Sequence, residues 1–600
     1  MSSLDLAVIG NSAIAALVDR QARILWCCFP RIDGDPIFNA LLNDPADGAD
    51  SVAEEGLFSI EIADFATSEQ HYDRNTAVLR TRLEDTHGQA LEVIDFCPRF
   101  RQFGRYHRPT SIFRIVRPLE GHPRIRITCR PTFAYGQVQP TTTRGSNHVR
   151  YVDDTVQLRL TTTAPVAYVV NRQWFVLEKA QHLILGADES LTASVEETSR
   201  KFLGETTAYW QEFSRMLALP FEWQDAVIRA AITLKMCAYE ETGAIVAALT
   251  TSIPEAAHTE RNWDYRFCWL RDSFFVVHAL NRLGATKTME DYLSYITNIV
   301  ASSKEGYLDP LFPITLDPSN LEEQTCSALR GYRGMGPVRV GNAAHSQIQN
   351  DGYGSLILAV AQTFFDRRLE RPGDVNLFHR LELLGEQAKA RWNTPDAGLW
   401  ELRTRARVHT FSALMCWAAC DRLALIAAQL DLPERARYWR TAADEIKDAI
   451  HKRAYNEEIG SFVESFGGEH LDASLLLMPE LRFIDARDPK FIGTIEAAER
   501  YLRKGDYLYR YHAADDFGEP ETAFNICTFW YISALAQAGR KEEARELFEH
   551  MLSRRNPVGL LSEDMDVKTG ELWGNFPQTY SLVGMINAAM KLSKPWEEAF

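Results

Sequence analysis

Arg124-Ile125-Arg126-Ile127-Thr128-Cys129 sets polar and apolar residues in alternation, the pattern of a strand with one face turned to a core. Leu91-Glu92-Val93-Ile94-Asp95-Phe96, Ile112-Phe113-Arg114-Ile115-Val116 and Val156-Gln157-Leu158-Arg159-Leu160 alternate or run apolar over similar short lengths. Turn signals such as Thr86-His87-Gly88 and Glu120-Gly121-His122-Pro123 separate them. This pattern predicts an antiparallel β-sandwich. Beyond about residue 205 the apolar spacing lengthens to three and four. Segments near 224–240, 272–284, 287–301, 353–368, 376–391, 411–429, 433–453, 471–478, 489–503, 521–538, 540–553 and 578–592 predict about twelve helices. Pro433 opens one of them, and Gly284 and Gly539 close others. Strands followed by helices imply segregated domains rather than alternating βαβ units. The expected division is a β-sandwich over 1–204, a linker helix over 205–222 and a helical domain over 223–600. Twelve helices suit six hairpins closed into a toroid, although closure leaves no mark on periodicity. The loop 302–345, rich in Gly, Pro and Tyr, is long enough to imply a function.

The 600 residues include 65 Lys+Arg and 81 Asp+Glu, a formal charge of −16, with 46% apolar and 24% charged residues. That is a globular balance. The acidic surplus argues against nucleic acid as a partner, since phosphate binding needs a basic face. The stretch Met1-Ser2-Ser3-Leu4-Asp5-Leu6-Ala7-Val8-Ile9-Gly10 has no signal-segment pattern, and no apolar run approaches the roughly 18 residues that span a bilayer. The ten cysteines are scattered without a CxxC pair, and Cys416 and Cys420, one helical turn apart, read as small core residues. The expectation is a reduced, cytoplasmic protein with no membrane partner; a homo-oligomer is left open.

Motifs of several enzyme classes are missing. Gly352-Tyr353-Gly354-Ser355-Leu356 is not GxSxG, Gly334-Met335-Gly336-Pro337 is not a dinucleotide fingerprint, and no P-loop or HExxH occurs. Asp564-Met565-Asp566-Val567-Lys568-Thr569-Gly570 begins like an EF-hand loop but puts Lys568 at a ligand position and Thr569 where Gly is required. No metal and no cofactor is expected, so the chemistry falls to carboxylates.

Four stretches join aromatic and charged residues at loop–helix junctions. They are Arg261-Asn262-Trp263-Asp264-Tyr265-Arg266-Phe267-Cys268-Trp269-Leu270-Arg271-Asp272, Gly398-Leu399-Trp400-Glu401, Tyr509-Arg510-Tyr511 and Gly559-Leu560-Leu561-Ser562-Glu563-Asp564. Aromatic platforms flanked by hydrogen-bonding charges suit pyranose rings. Glycoside hydrolysis needs one carboxyl group protonated and a second ionised. Desolvation beside a Trp would favour the neutral form of Glu401, and the polar run around Glu563 could leave it ionised, though its acidic neighbours oppose that.

These stretches resemble those of glycoside hydrolase family 15, the glucoamylase family, in its bacterial trehalase-like branch. Trp269-Leu270-Arg271-Asp272 is similar to the family's Trp-x-Arg-Asp, which implies that Arg271 and Asp272 hold hydroxyls of a terminal glucose. Tyr265 matches a Tyr under that ring, and Arg510 matches a sugar-binding Arg. Trp400-Glu401 resembles the segment that carries the general acid. Ser562-Glu563, with Gly574-Asn575-Phe576-Pro577-Gln578, resembles the segment that carries the general base. Asp351 lies in a sugar-contacting segment, where capping the next helix is the plainer alternative. Gly331-Tyr332-Arg333-Gly334 and Pro337-Val338-Arg339-Val340-Gly341-Asn342-Ala343 recur in bacterial members, and Ile24-Leu25-Trp26-Cys27-Cys28-Phe29-Pro30-Arg31-Ile32-Asp33 resembles the β-domain of trehalase-like members. The resemblance implies an N-terminal β-sandwich followed by an (α/α)6 barrel acting with inversion. Ser355, Ala413 and Leu582 depart from the Glu, Lys and His usual in bacterial relatives, which bears on specificity beyond the first glucose.

The expected activity is exo-acting, inverting hydrolysis of a small α-glucoside such as trehalose or a short α-gluco-oligosaccharide. A disaccharide phosphorylase of the same layout is one alternative, and a non-catalytic glucan-binding protein is another. Arg271 and Asp272 could merely cap a helix, Trp263 and Trp573 could be buried structurally, and Asp33 could reach the barrel mouth from the sandwich.

Overall fold

The computed structural model describes residues 3–43, 55–303, 306–318 and 321–598. Its first part is a sandwich of two antiparallel sheets. One sheet runs in the order Leu6–Gly10, Ala15–Asp19, Arg23–Phe29, Leu57–Ile62, Arg124–Arg130 and Phe175–Val176, with Asp35–Phe38 added against Arg23–Phe29. The other runs Thr141–Arg144, His148–Val152, Gln157–Thr162, Gln181–Ala187, Ser111–Glu120, Ala90–Phe96, Leu79–Asp85 and Phe65–Tyr72. The alternation in 124–129 works as read: Ile125 and Ile127 face the core with Val93, Leu158 and Leu160, while Arg124 stays exposed. Arg114 breaks the pattern because it is fully buried. It pairs with Asp95 at 2.8 Å and donates to the Phe58 carbonyl at 2.7 Å, tying one sheet to the other. A short helix, α1 (Val166–Val170), connects two strands.

The expected linker helix over 205–222 is the second half of a longer one, α2 (Val195–Arg215), and 216–223 is not helical. The Ser194 hydroxyl accepts from the Glu197 amide at 3.1 Å, an N-cap that starts the helix ten residues earlier than its periodicity suggested. Its first turns cover the outer face of the second sheet, where Phe96, Phe113, Ile184 and Val195 pack with Phe202. Trp210 and Phe213 at its far end belong instead to the helical core.

The helical part comprises α3 (Gln224–Met236), α4 (Leu270–Arg282), α5 (Thr286–Ser302), α6 (Asp351–Phe365), α7 (Val375–Arg391), α8 (Thr410–Gln429), α9 (Pro433–Arg453), α10 (Pro489–Tyr501), α11 (Asn525–Ala538), α12 (Lys541–Ser553) and α13 (Thr579–Leu592). The twelfth expected helix, near 471–478, is a 3-10 turn, Ala473–Leu477. Packing closes a ring: α4 on α6, α6 on α8, α8 on the 3-10 turn, that turn on α11, α11 on α13, and α13 back on α4. The other six helices lie outside it, α3 against α13, α5 and α7 against α6, α9 against α8, and α10 and α12 against α11. The result is an (α/α)6 barrel. Inner helices are apolar on nearly every side because the ring buries one face and the outer layer the other. For the same reason α8 is long and apolar enough by composition to cross a membrane, contrary to the sequence expectation, yet here it is mostly buried. The long loop 302–345 contains short strands: Leu311–Phe312 pairs with Cys268–Trp269, and Gln324–Thr325 pairs with Arg339–Val340; residues 304–305 and 319–320 lie outside the described set.

Sandwich and barrel are joined by specific hydrogen bonds. Trp26 Nε1 donates to the Leu249 carbonyl at 2.8 Å, and Asn556 Nδ2 to the carbonyls of Leu4 and Leu6, each at 2.9 Å. Arg266 is paired with Asp264 at 2.7 Å and donates to the Gly34 carbonyl and the Tyr135 hydroxyl, both at 2.8 Å.

Candidate active site

The strand pair Cys268–Trp269 and Leu311–Phe312 leads into α4, whose first turn carries Arg271 and Asp272. Upstream, the Ala248 and Ala247 amides donate to the carbonyls of Tyr265 and Phe267, each at 2.9 Å. Tyr265 and Trp269 meet edge to face, with ring centroids 5.3 Å apart. Each ring of this pair holds one glutamate. Trp269 Nε1 donates to Glu401 Oε1 at 2.7 Å, and the Tyr265 hydroxyl donates to Glu563 Oε1 at 2.6 Å.

Glu401 sits at φ +57°, a left-handed conformation costly for a residue with a Cβ. Its amide donates to Gly398 O at 3.2 Å, and its carbonyl accepts from Gln347 Nε2 at 3.1 Å. Arg271 at 3.2 Å and Gln349 at 3.4 Å add donors to the same Oε1, so no donor reaches Oε2 among the described residues. Glu563 opens a three-stranded sheet formed by Ala523–Phe524, Asp564–Met565 and Leu572–Trp573. Its amide donates to Asn575 O at 3.2 Å, its carbonyl accepts from the Asn525 amide at 2.9 Å, and its Oε2 accepts from the Asn575 amide at 3.3 Å.

One cavity of about 910 Å³, counting its open mouth, has both glutamates on its wall with Tyr265, Trp269, Arg271, Asp272, Trp400 and Arg510. Asp351 is the exception. It is the first residue of α6, fully buried, with neither carboxylate oxygen hydrogen-bonded, and it lies behind the wall near Arg271. Trp263 lines the cavity, whereas Trp573 packs on Tyr332 at 6.0 Å, away from it. Asp33 pairs with Arg31 at 2.9 Å and is not on the wall. The EF-hand-like stretch is a hairpin in which Asp566 Oδ1 accepts from the Lys568 and Thr569 amides; among the described residues no group of three His, Cys, Asp or Glu is placed to hold a metal. The α8 cysteines are buried core residues without a disulfide.

Burial, then Glu255 and Asp564, push the Glu563 carboxyl well above the usual range, against the pull of Tyr265 and Arg510. Glu563 therefore favours its proton, the direction its acidic sequence neighbours suggested, against the alternative in which the polar run leaves it ionised. The Trp that bonds Glu401 is Trp269, through its N–H, rather than the sequence neighbour Trp400. Burial raises Asp272 to about 7, with Arg271 pulling down and Glu401 and Asp351 pushing up. Trp400 turns its Nε1 to Asp472 at 2.7 Å, and burial raises that carboxyl to about 6.

Sequence reasoning missed Glu255. It bonds Arg510 at 2.7 Å through one oxygen and accepts from Trp263 Nε1 at 2.8 Å through the other. Arg510 also reaches Asp564 at 3.2 Å, and Arg261 pairs with Asp515 at 2.6 Å beside them. A lone Glu in the loop Thr251-Ser252-Ile253-Pro254-Glu255 carries no local signal of this role. Phe517, Arg403 and Tyr580 on the wall were equally unmarked, whereas Trp530, also on the wall, ends the aromatic stretch 521–530 that follows Tyr509-Arg510-Tyr511 in the sequence.

Two family models match the chain: Trehalase-like, N-terminal over residues 4–187, and Glycosyl hydrolases family 15 over residues 223–590. Among similar proteins are a trehalase of Thermoplasma volcanium, 32% identical over 98% of this chain and 93% of the relative. A trehalase of Mycobacterium tuberculosis is 30% identical over 99% of this chain and 90% of that protein. In structure, a bacterial glucoamylase complexed with acarbose superposes with a TM-score of 0.71 over 98% of this chain and 93% of the other, at 14% identity. That last likeness concerns the fold. None of these comparisons favours a phosphorylase or a non-catalytic glucan-binding protein.

Proposed function

The chain belongs to glycosyl hydrolases family 15, a glycosidase family, and from that premise we propose that it hydrolyses trehalose by exo attack with inversion of the anomeric centre. Likeness to trehalases along nearly the whole chain supports trehalose over longer α-glucosides. The observation that carries the mechanism is the pair of glutamates held by the two rings of the Tyr265–Trp269 pair on one cavity wall.

In this reading one glucose enters against Tyr265 and Trp269, with Arg271, Asp272 and Arg510 on its hydroxyls. Glu401 protonates the glycosidic oxygen from Oε2, the oxygen that no donor reaches among the described residues. Glu563 removes a proton from a water on the opposite ring face, with Tyr265 and the Asn575 amide fixing its carboxylate. Its raised proton affinity makes it the stronger base once ionised. The buried inner end of the pocket, formed by Asp272, Phe524, Trp530 and Tyr580, supports attack at a chain terminus.

Inversion at one centre of α,α-trehalose releases one β-glucose and one α-glucose; retention would release only α-glucose. Proton NMR at early times on trehalose, maltose, isomaltose, kojibiose and nigerose tests both parts. Equal initial α and β signals, with turnover greatest on trehalose, are expected. Initial α-glucose alone would overturn inversion, and faster turnover of another disaccharide would overturn the substrate.

A further inference from the structure

A second concavity lies where the sandwich, α2 and the outer helices α3 and α5 meet, and it shares no lining residue with the sugar pocket. Its floor is cationic. Arg99 is fully buried; it donates to the Asn11 carbonyl at 2.8 Å and to Glu240 Oε1 at 2.5 Å, and its Nε has no hydrogen-bond partner. Lys235, also buried, pairs with the same Glu240 and donates to Thr288 Oγ1 at 2.9 Å. Arg108 approaches Glu240 at 3.6 Å, so one carboxylate serves three cations.

Arg105 and Lys287 stand at the rim, and the one other carboxylate in the lining, Asp291, is taken by Lys287 at 2.6 Å. Among the described residues, five cationic side chains therefore face two carboxylates. The crowding is felt at Lys235, whose ammonium is pushed down to about 8 by burial and by Arg99, against Glu240. The first turn of the 17-residue helix α5 also lines the cavity; its N-cap is Ala285, which offers no acceptor, and the turn contains no acid. Its free amides and the positive end of the helix dipole add to the same field. Tyr106 and Tyr209 form the walls, with the Arg99 guanidinium 5.1 and 4.6 Å from their ring centroids.

We propose that this concavity binds a phosphoryl anion, as inorganic phosphate or as the phosphate group of a hexose phosphate. A phosphoryl dianion matches the surplus of positive charge, and guanidinium groups with helix amides are the donors that recognise it. Bound there, it bridges Arg99, Arg105 and Arg108 of the sandwich to Lys235 and α5 of the barrel, and so stabilises their association.

The test uses the full-length protein without glucoside substrate, so its outcome is separate from the choice of trehalose. Calorimetric titration and thermal unfolding are followed with inorganic phosphate and with glucose 6-phosphate, against sodium chloride at equal ionic strength. Saturable binding of at least one probe and a saturable rise in Tm are expected. In the rim variant R105A/K287A the affinity should weaken by about tenfold or more. Tighter binding of glucose 6-phosphate identifies the hexose phosphate as ligand, and equal or tighter binding of inorganic phosphate identifies the free anion. R108A provides an independent loss of affinity if the double variant folds poorly. Absence of saturable binding by either probe, or undiminished affinity in the folded variants, would overturn the site.

Discussion

Glu401 and Glu563 are distinguished by how their oxygens are held: three side chains converge on one oxygen of Glu401, whereas both oxygens of Glu563 accept hydrogen bonds. With Glu401 as the proposed acid, Glu401→Gln keeps the shape but removes the proton to be transferred, so kcat on trehalose should fall by about 10²–10⁴-fold. α-Glucosyl fluoride, whose leaving group departs without protonation, should still be hydrolysed by that variant, while Glu563→Gln should lose both substrates. Steady-state rates on the two substrates decide it; equal losses in Glu401→Gln would remove the acid assignment. The raised proton affinity of Glu563 has a kinetic sign. In the proposed mechanism Glu563 must lose its proton to act, so the acidic limb of kcat/KM should lie well above the usual carboxylate range. Glu255→Gln removes one of the charges that raise it, so this limb should move to lower pH. An unmoved limb, measured from pH 4 to 8 with trehalose, would mean that another group controls it.

Glu563 also depends on the hairpin that presents it. Gly574 has φ +74°, and a Cβ there would fall 2.6 Å from Glu563 Cβ and 2.7 Å from Oε2. Gly574→Ala should therefore displace the base and lower kcat by about 10²-fold, the scale of a misplacement near 1 Å. KM and circular dichroism should change far less; an unaltered kcat would show that the carboxylate tolerates the shift. The elements themselves were largely legible in the sequence, because Pro433, Gly539 and the three-to-four spacing are local signals and the inner helices are long. The 3-10 turn at Ala473–Leu477 was not, since five buried residues in a row look the same in either winding. The early start of α2 rests on a single serine cap. The site was legible where a loop feeds directly into a helix, as at Trp269-Leu270-Arg271-Asp272. It was not where partners come from remote loops: Glu255 and Arg510 are 255 positions apart, and the burial that raises Glu563 exists only once the ring has closed.

Across the whole molecule, burial in the barrel raises the proton affinity of several carboxyls, and this ties stability to pH. Asp272 and Asp564 around the pocket and Asp396 behind it are each raised to about 7, foremost by burial. In the unfolded chain an aspartate titrates near 4. Between pH 6.5 and 7.5 the folded state therefore holds protons that the unfolded state has already released, and stability must fall as pH rises through this window. The three aspartates, each about half titrated on average, contribute a slope on the order of 2 kcal/mol per pH unit, and Glu563, which also holds its proton here, adds to the fall. The buried histidines His278 and His409 work in the opposite sense, but both are lowered to about 4, so their contribution is confined mainly to pH below about 6.5. Thermal unfolding at fixed ionic strength should thus give a lower Tm at pH 7.5 than at 6.5. Asp396 is off the pocket wall, bonded to the Asn350 amide at 2.8 Å and the Ser412 hydroxyl at 2.7 Å. Asp396→Asn should therefore remove about a third of the aspartates' share of the slope by abolishing one of their three titrations. A Tm that rises over this interval, or a slope unchanged in Asp396→Asn, would mean that these carboxyls are ionised in the folded barrel.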